Sequence, residues 1–294
     1  MCTVLTTPQT PLVGRTMDFP FRSPWKLTYL PPNYCWQPAT GAKSFINRYA
    51  ILGGMRQVAG HYLIGDGINE AGLFCAELFF PVAAKYEQQQ AGRLALTPQD
   101  LIAWLLGQCA TVAEVVARLE RVRVIEAPWF DHQVYPFHWF LKDQTTSIVI
   151  EPLAGKLVVL DNQAGVLTNT PSYHDQIHAL NQSLGITQAE FSFQTQNRLR
   201  WRSTKFTGDN SIQRFQRAAE IAWQQRPSSL NQMQLQLNTL AIPKGPRHRH
   251  NYTHYQAAID CQRQQYDFYD CQLHTRIKKE LPVLVSKLAA PVRF

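Results

Sequence analysis

The 294-residue chain predicts an α+β fold of stacked, mainly antiparallel sheets covered by helices, on three observations. Short β-branched or aromatic runs, separated by turn residues, open the chain, recur in its middle and return near its end. A capped helical pair and one later helix fall between these strand groups. No strand–helix alternation suited to parallel crossovers is visible, which argues against a doubly wound sheet.

Taken in order, Cys2-Thr-Val-Leu-Thr6 reads as a strand. The polar run Thr7–Pro11 then turns the chain into a second strand, Leu12–Asp18. Pro8 and Pro11 suit a turn and disfavour a continuous strand. Residues 20–36 are rich in proline and aromatics and read as a loop. Ile64–Gly72 carries turn chemistry between two strands, and its spaced glycines do not fit a dinucleotide fingerprint because no helix follows. Thr97-Pro-Gln-Asp100 sets a cap, a first-turn proline and an acid before Leu101–Leu106. Thr111-Val-Ala-Glu114 is a capping box opening Val115–Val122. Phe137–Phe140, Ser147–Pro152, Lys156–Asp161 and Val166–Thr168 read as strands. Asn210-Ser211 starts a helix reaching Gln224, with Phe215, Ala218, Ala219 and Ala222 on one face. A last hairpin fits Thr253–Asp260 and Gln265–Asp270.

Hydrophobic residues make up 45% and charged residues 17%, an ordinary globular balance that excludes a disordered chain. No basic stretch leads into an apolar run at the N-terminus, and no segment approaches the ~18 apolar residues of a membrane span. A cytoplasmic protein without a membrane partner is therefore expected. The cysteines at 2, 35, 75, 109, 261 and 271 lack CxxC spacing and read as reduced thiols. The net charge of +8, from 29 basic and 21 acidic residues, favours acidic surfaces or anionic substrates without establishing either. The run Arg198–Lys205 interleaves arginine with Trp201, as single-strand nucleic-acid binding would; one short run is weak support, a solvated or inter-subunit strand is the favoured reading, and no nucleic-acid partner is expected. Arg247-His-Arg-His250 lacks acids or cysteines at ligand spacing, so no metal is expected.

Cys2 is the most informative residue. Its small side chain favours removal of Met1, which would put a thiol and a free α-amine on one residue. An α-amine titrates near ~8 and a thiol near ~8.5, so neither needs a large shift to act at neutral pH. A nucleophile served by its own N-terminal amine is an established arrangement. The alternative is an ordinary buried thiol at a strand end, with Met1 retained.

Seven segments in register add to that reading: Met1-Cys2-Thr3, Gly14–Asp18, Asp66–Leu73, Phe137-His-Trp139 with Ile148–Glu151, Val166–Pro171, Gly208–Phe215, and Ile242–Gly245 with Tyr252–Tyr255. Together they resemble the choloylglycine hydrolase family, N-terminal-nucleophile (Ntn) amidases that include bile salt hydrolases and penicillin V acylases. The resemblance implies a single domain over residues 1–294, folded as a four-layer αββα sandwich. It implies a cofactor-free hydrolase of a small-molecule N-acyl amide. Cys2 would be the nucleophile, Asp18 would orient its amine, and Arg15 would favour the thiolate. Asn169 would bind the oxyanion and Arg214 would support the Cys2 region. The family's second oxyanion residue is often Asn in an AGLNFP-like run. Here that run is Ala76-Glu-Leu-Phe-Phe-Pro81, so Phe79 would serve through its backbone N–H. The penicillin V acylase branch is aromatic at this position, which leans the expected substrate that way. Bile salts, acyl-homoserine lactones or N-acyl amino acids are the alternatives; from another class, so is a non-catalytic nucleic-acid-binding relative. An apolar, aromatic pocket is expected from Phe19, Phe21, Trp25, Trp129, Phe130, Val134 and Tyr135, with core packing the competing role for each. Family members are often homotetramers, and residues 178–207 would form the extended segment reaching across subunits.

Overall fold

Two strands that pair through a five-residue turn set the frame. In the computed structural model, which describes residues 2–19, 24–248 and 251–294, Thr3–Thr6 and Leu12–Phe19 form an antiparallel hairpin with Cys2 at its open end. Val166–Thr168 adds to the outer side of the first strand, and Tyr252–Asp260 to the outer side of the second. Gln265–Asp270 and Thr275–Glu280 complete a six-stranded antiparallel sheet. Asn169, which follows Val166–Thr168, is thereby brought beside Cys2.

The second sheet has eight strands, in the spatial order Lys156–Asp161, Ser147–Leu153, Phe137–Lys142, Phe74–Phe79, His61–Asn69, Ile51–Val58, Lys26–Leu30 and Val292–Arg293. Helices Ser211–Glu220 and Leu230–Leu240 pack on the first sheet, and Pro98–Gln108 packs on the second. Gly14 makes the close helix–sheet contact possible, since a Cβ there would run into Met233. Phe215, Ala218, Ala219 and Ala222 are all fully buried, as one apolar helix face requires. The result is an α+β sandwich of four layers, αββα. Thr97 and Thr111 cap their helices, each accepting from the backbone N–H three residues on.

The strands that differ from the sequence reading share a cause, namely burial on both faces. Lys26–Leu30, expected in a loop, is a strand whose last four residues are buried. Leu27 and Tyr29 do alternate with Lys26 and Thr28, but the run is short and flanked by Pro24 and Pro31, whose loop signal outweighs it. His61–Asn69 continues through Gly65 and Gly67, leaving the turn at Glu70–Gly72, where Gly72 has φ 88°. The strand glycines make room: a Cβ on Gly65 would meet Met17 and Trp25, and one on Gly54 would meet the Tyr255 ring and hydroxyl. Residues 178–207 hold two helical stretches rather than one extended run. Tyr173–Ser183 runs into this segment, Phe193–Arg200 follows, and the two helices are capped by Ser172 and Ser192. Arg198 and Arg200 therefore close a helix instead of lying on a strand. All six cysteines are free thiols. Among the described residues no helix is long and apolar enough to cross a membrane.

Candidate active site

The hairpin register decides what surrounds Cys2. Thr3 pairs with Thr16 and Val4 with Arg15, so the second strand brings Arg15, Met17 and Asp18 to the nucleophile end of the sheet. Cys2 is 5% exposed. Its backbone N–H donates to Asn169 Oδ1 at 2.9 Å, and its Sγ lies 3.5 Å from the Asp18 carbonyl oxygen.

Arg15 is fully buried; Nη2 donates to the Glu77 carbonyl at 2.7 Å, and Nε lies 3.6 Å from Asp66 Oδ2. Its Nε and Nη1 have no hydrogen-bond partner. Burial works against the charged guanidinium, but Cys2, Tyr255, Asp66 and Asp18 outweigh it and raise its pKa. Arg15 is thus a buried cation held close to the thiol. Asp66 accepts hydrogen bonds from the Tyr255 and Tyr266 hydroxyls. Its burial raises the carboxyl pKa, while Arg15 and the two hydroxyls pull it down.

Asp18 is held from both sides, by Arg214 Nη2 at 2.8 Å on Oδ2 and by the Thr253 hydroxyl at 2.5 Å on Oδ1. A cation in the first turn of Ser211–Glu220 opposes the helix dipole, so Arg214 owes its place to partners elsewhere. It donates to Thr3 Oγ1 at 3.1 Å, Thr16 Oγ1 at 2.9 Å and the Leu240 carbonyl at 2.5 Å. The guanidinium ties the helix to both strands of the nucleophile hairpin.

Phe79 ends its strand facing Asn169. Phe80 N–H donates to Pro136 O at 2.7 Å, so by antiparallel alternation the N–H and C=O of Phe79 point away from Phe137–Lys142. The Phe79 carbonyl accepts from Thr170 N–H at 3.3 Å, on the Asn169 side. Pairing of this strand with His61–Asn69 stops at Ala76. His138 braces both groups: its Nε2 lies 2.8 Å from Thr168 O, its Nδ1 3.0 Å from Glu151 Oε1, and its ring stacks on Phe80.

These residues border a cavity of about 760 Å³ lined by Cys2, Met17, Asp18, Trp25, Leu63, Glu77, Phe79, Gln133, Val134, Tyr135, Phe137, Asn169 and Asn251. The volume suits a small organic ligand. Of the expected pocket residues, Trp25, Val134 and Tyr135 do line it. Trp129 does not: it is a core residue whose Nε1 donates to Asp100 Oδ1 at 3.1 Å. Phe130 stacks on His61 and packs against the core. Met1, Phe21 and the side chain of Phe19 lie outside what the structure describes. Met17, Leu63, Glu77, Gln133, Phe137 and Asn251 were not anticipated. Glu77 alone carried a signal, as a carboxylate within an apolar strand.

Glu77 is 3% exposed; among the described residues no hydrogen bond reaches its carboxyl, and its Oε2 is buried without a partner. Burial drives the carboxyl well above the usual range; Arg15 and Arg56 pull against that, and Cys2 and Asp66 add to it. Among the described residues no cluster of His, Cys, Asp and Glu is arranged to hold a metal ion.

An N-terminal cysteine at the end of a two-sheet αββα sandwich is the arrangement of an Ntn hydrolase. The profile of the linear amide C–N hydrolases, choloylglycine hydrolase family, matches residues 2–280, and the chain belongs to that family. It is 34% identical over 185 residues to a "Bile salt hydrolase/transferase" of Lactiplantibacillus plantarum, an alignment covering 62% of this chain and 56% of the relative. The chain thus spans just over half the length of this curated relative. In fold it is similar to a variant of the conjugated bile acid hydrolase from Clostridium perfringens, with a TM-score of 0.82 at 22% identity, covering 100% of this chain and 96% of that one. It is also similar to penicillin V acylase from Agrobacterium tumefaciens, with a TM-score of 0.75 at 18% identity, covering 100% and 90%.

Proposed function

We propose that the protein hydrolyses the amide bond of an N-acyl substrate through a thioester on Cys2. The observation that carries this is the Cys2 nitrogen, 2.9 Å from Asn169 Oδ1 at the wall of an apolar cavity, with the Arg15 cation behind it. Once Met1 is removed, that nitrogen is the α-amine. It takes the thiol proton as sulfur attacks the amide carbonyl. The oxyanion is met by Asn169 Nδ2 and the Phe79 N–H, and one such donor contributes roughly 2.7–4 kcal/mol to the transition state. The amine returns the proton to the leaving nitrogen as the C–N bond breaks. A water deprotonated by the same amine then cleaves the thioester. Asp18 and Arg214 keep the hairpin in register while this happens.

Trp25, Leu63, Val134 and Phe137 make the cavity apolar, which supports an apolar or aromatic acyl group. The aromatic Phe79 leans this reading towards phenoxyacetyl amides such as penicillin V. A second reading, conjugated bile acids, draws support from the 34% identity to the "Bile salt hydrolase/transferase". Assembly as a homotetramer is supported by Phe193 and Trp201, 75% and 79% exposed on the segment of residues 178–207. Six free thiols support a cytoplasmic location. A hydrolysis panel of penicillin V, glycine- and taurine-conjugated bile acids and acyl-homoserine lactones tests the reading. Penicillin V is expected to be cleaved fastest, and Cys2→Ala to lose at least about 10³-fold in kcat/KM. Faster cleavage of the bile acid conjugates selects the second reading, and an active Cys2→Ala enzyme refutes both.

A further inference from the structure

We propose that Glu77 is a specificity-determining residue that recognises a hydroxyl, keto or ether oxygen on the acyl group of the substrate. The inference rests on the amide-hydrolase reading and concerns the same cavity.

The other buried acids around the site each receive hydrogen bonds on the carboxylate. Asp18 is held by Arg214 and Thr253, Asp66 by two tyrosine hydroxyls, and Glu151 by His138 and the Tyr173 N–H on Oε1, its Oε2 having no partner. Glu77 differs: among the described residues no hydrogen bond reaches its carboxyl, and its Oε2 is buried. Arg15 donates to its backbone carbonyl and not to its carboxyl. Arg56 donates to the Tyr135 hydroxyl at 3.2 Å and lies 3.7 Å from Asp131. A buried polar group without a partner is costly and rare in native proteins, and it calls for an explanation. Here the group stands in the wall of a cavity that also opens onto the nucleophile, so a ligand can supply the missing bond.

Position narrows the ligand class. Glu77 lies two residues before Phe79 on the same strand, roughly 7 Å along it. Phe79 is 42% exposed at the mouth of the cavity, and Glu77 is 3% exposed. Met17, Trp25, Leu63 and Phe137 line the same cavity with apolar surface. A second carboxylate buried there would meet Asp18 and Glu77, and among the described lining residues there is no lysine or arginine to receive it. A neutral oxygen is free of that difficulty. Burial raises the Glu77 carboxyl pKa well above the usual range, which favours the protonated form; a protonated carboxyl can donate to an ether or keto oxygen and both donate to and accept from a hydroxyl.

The test uses matched amides of one amine: phenoxyacetyl against 3-phenylpropanoyl, which exchanges the ether oxygen for a methylene, and 3-oxooctanoyl against octanoyl. Wild-type enzyme is expected to favour the oxygen-bearing member of each pair by at least about tenfold in kcat/KM. Glu77→Leu should bring both ratios close to one, while Glu77→Gln, which keeps a donor, should retain most of the preference. Glu77→Met replaces the leucine variant if the latter does not fold. Wild-type ratios near one, or ratios unchanged in the apolar variants, overturn the assignment. Stoichiometric thiol labelling at Cys2, run on the same samples, separates the two levels. An enzyme that labels at Cys2 yet cleaves none of the four amides contradicts the amidase reading itself. One that cleaves all four without discrimination contradicts the role of Glu77 alone.

Discussion

Asp18 and Glu77 are both buried acids on the wall of one cavity, yet their surroundings are opposite. Asp18, on the six-stranded sheet, has a guanidinium on one oxygen and a hydroxyl on the other, within a network that reaches Thr3, Thr16 and Leu240. Glu77, on the eight-stranded sheet, has a buried Oε2 without a partner, and among the described residues no hydrogen bond reaches its carboxyl. The contrast separates two tasks. One sheet fixes the nucleophile and its charges before any ligand arrives. The other leaves a polar group for the ligand to complete.

The largest effect that sharpens this contrast is expected at Asp18. Asp18→Ala leaves Arg214 buried without its carboxylate, and truncating one partner of a buried ion pair costs about 3–5 kcal/mol. Urea unfolding should show a loss of that order; a loss below ~1 kcal/mol would mean the pair does not hold the hairpin. Next comes Asn169→Ala, expected to lower kcat by about 10²–10³-fold, with Cys2 still labelled by a thiol reagent. A change in KM alone would remove Asn169 from the oxyanion site.

The smallest effect separates Glu77 from Asp18 by pH. Below the ordinary carboxyl value of 4.5, Glu77 is protonated in both folded and unfolded chains, so Glu77→Gln and wild type should differ little. As pH rises, the unfolded chain releases the proton and the folded chain keeps it, so wild-type stability declines until the folded carboxyl itself ionises. The stability advantage of Glu77→Gln should therefore grow with pH, by at most about 1.4 kcal/mol per unit. Thermal melts from pH 4 to pH 8 check this. An advantage that is flat with pH would mean that Glu77 is charged in the folded protein.

What the sequence made legible follows from how each feature is encoded. The capped helices were readable because a cap and its first turn are local, and Thr97 and Thr111 make the bonds their spacing predicts. Cys2, Arg15, Asp18, Asn169 and Arg214 were readable as spaced motifs, and the antiparallel register brings them together. The pocket wall was harder. Trp129 and Val134 sit in one aromatic loop, but the indole N–H of Trp129 is drawn to Asp100, distant in sequence, while Val134 is left at the cavity. Gly65 looked like a turn residue because its purpose, leaving room for Met17 and Trp25, exists only in three dimensions. Helices such as Leu230–Leu240 went unread because glutamines and asparagines dilute their apolar stripe.

The account stands or falls on the chemistry of the second residue. Intact-protein mass spectrometry during turnover of a slow N-acyl amide tests it most directly. The prediction is a chain lacking Met1 that gains one acyl mass, mapped by proteolysis to Cys2 and released by hydroxylamine. A chain that retains Met1, or an acyl adduct on any other residue, would contradict it.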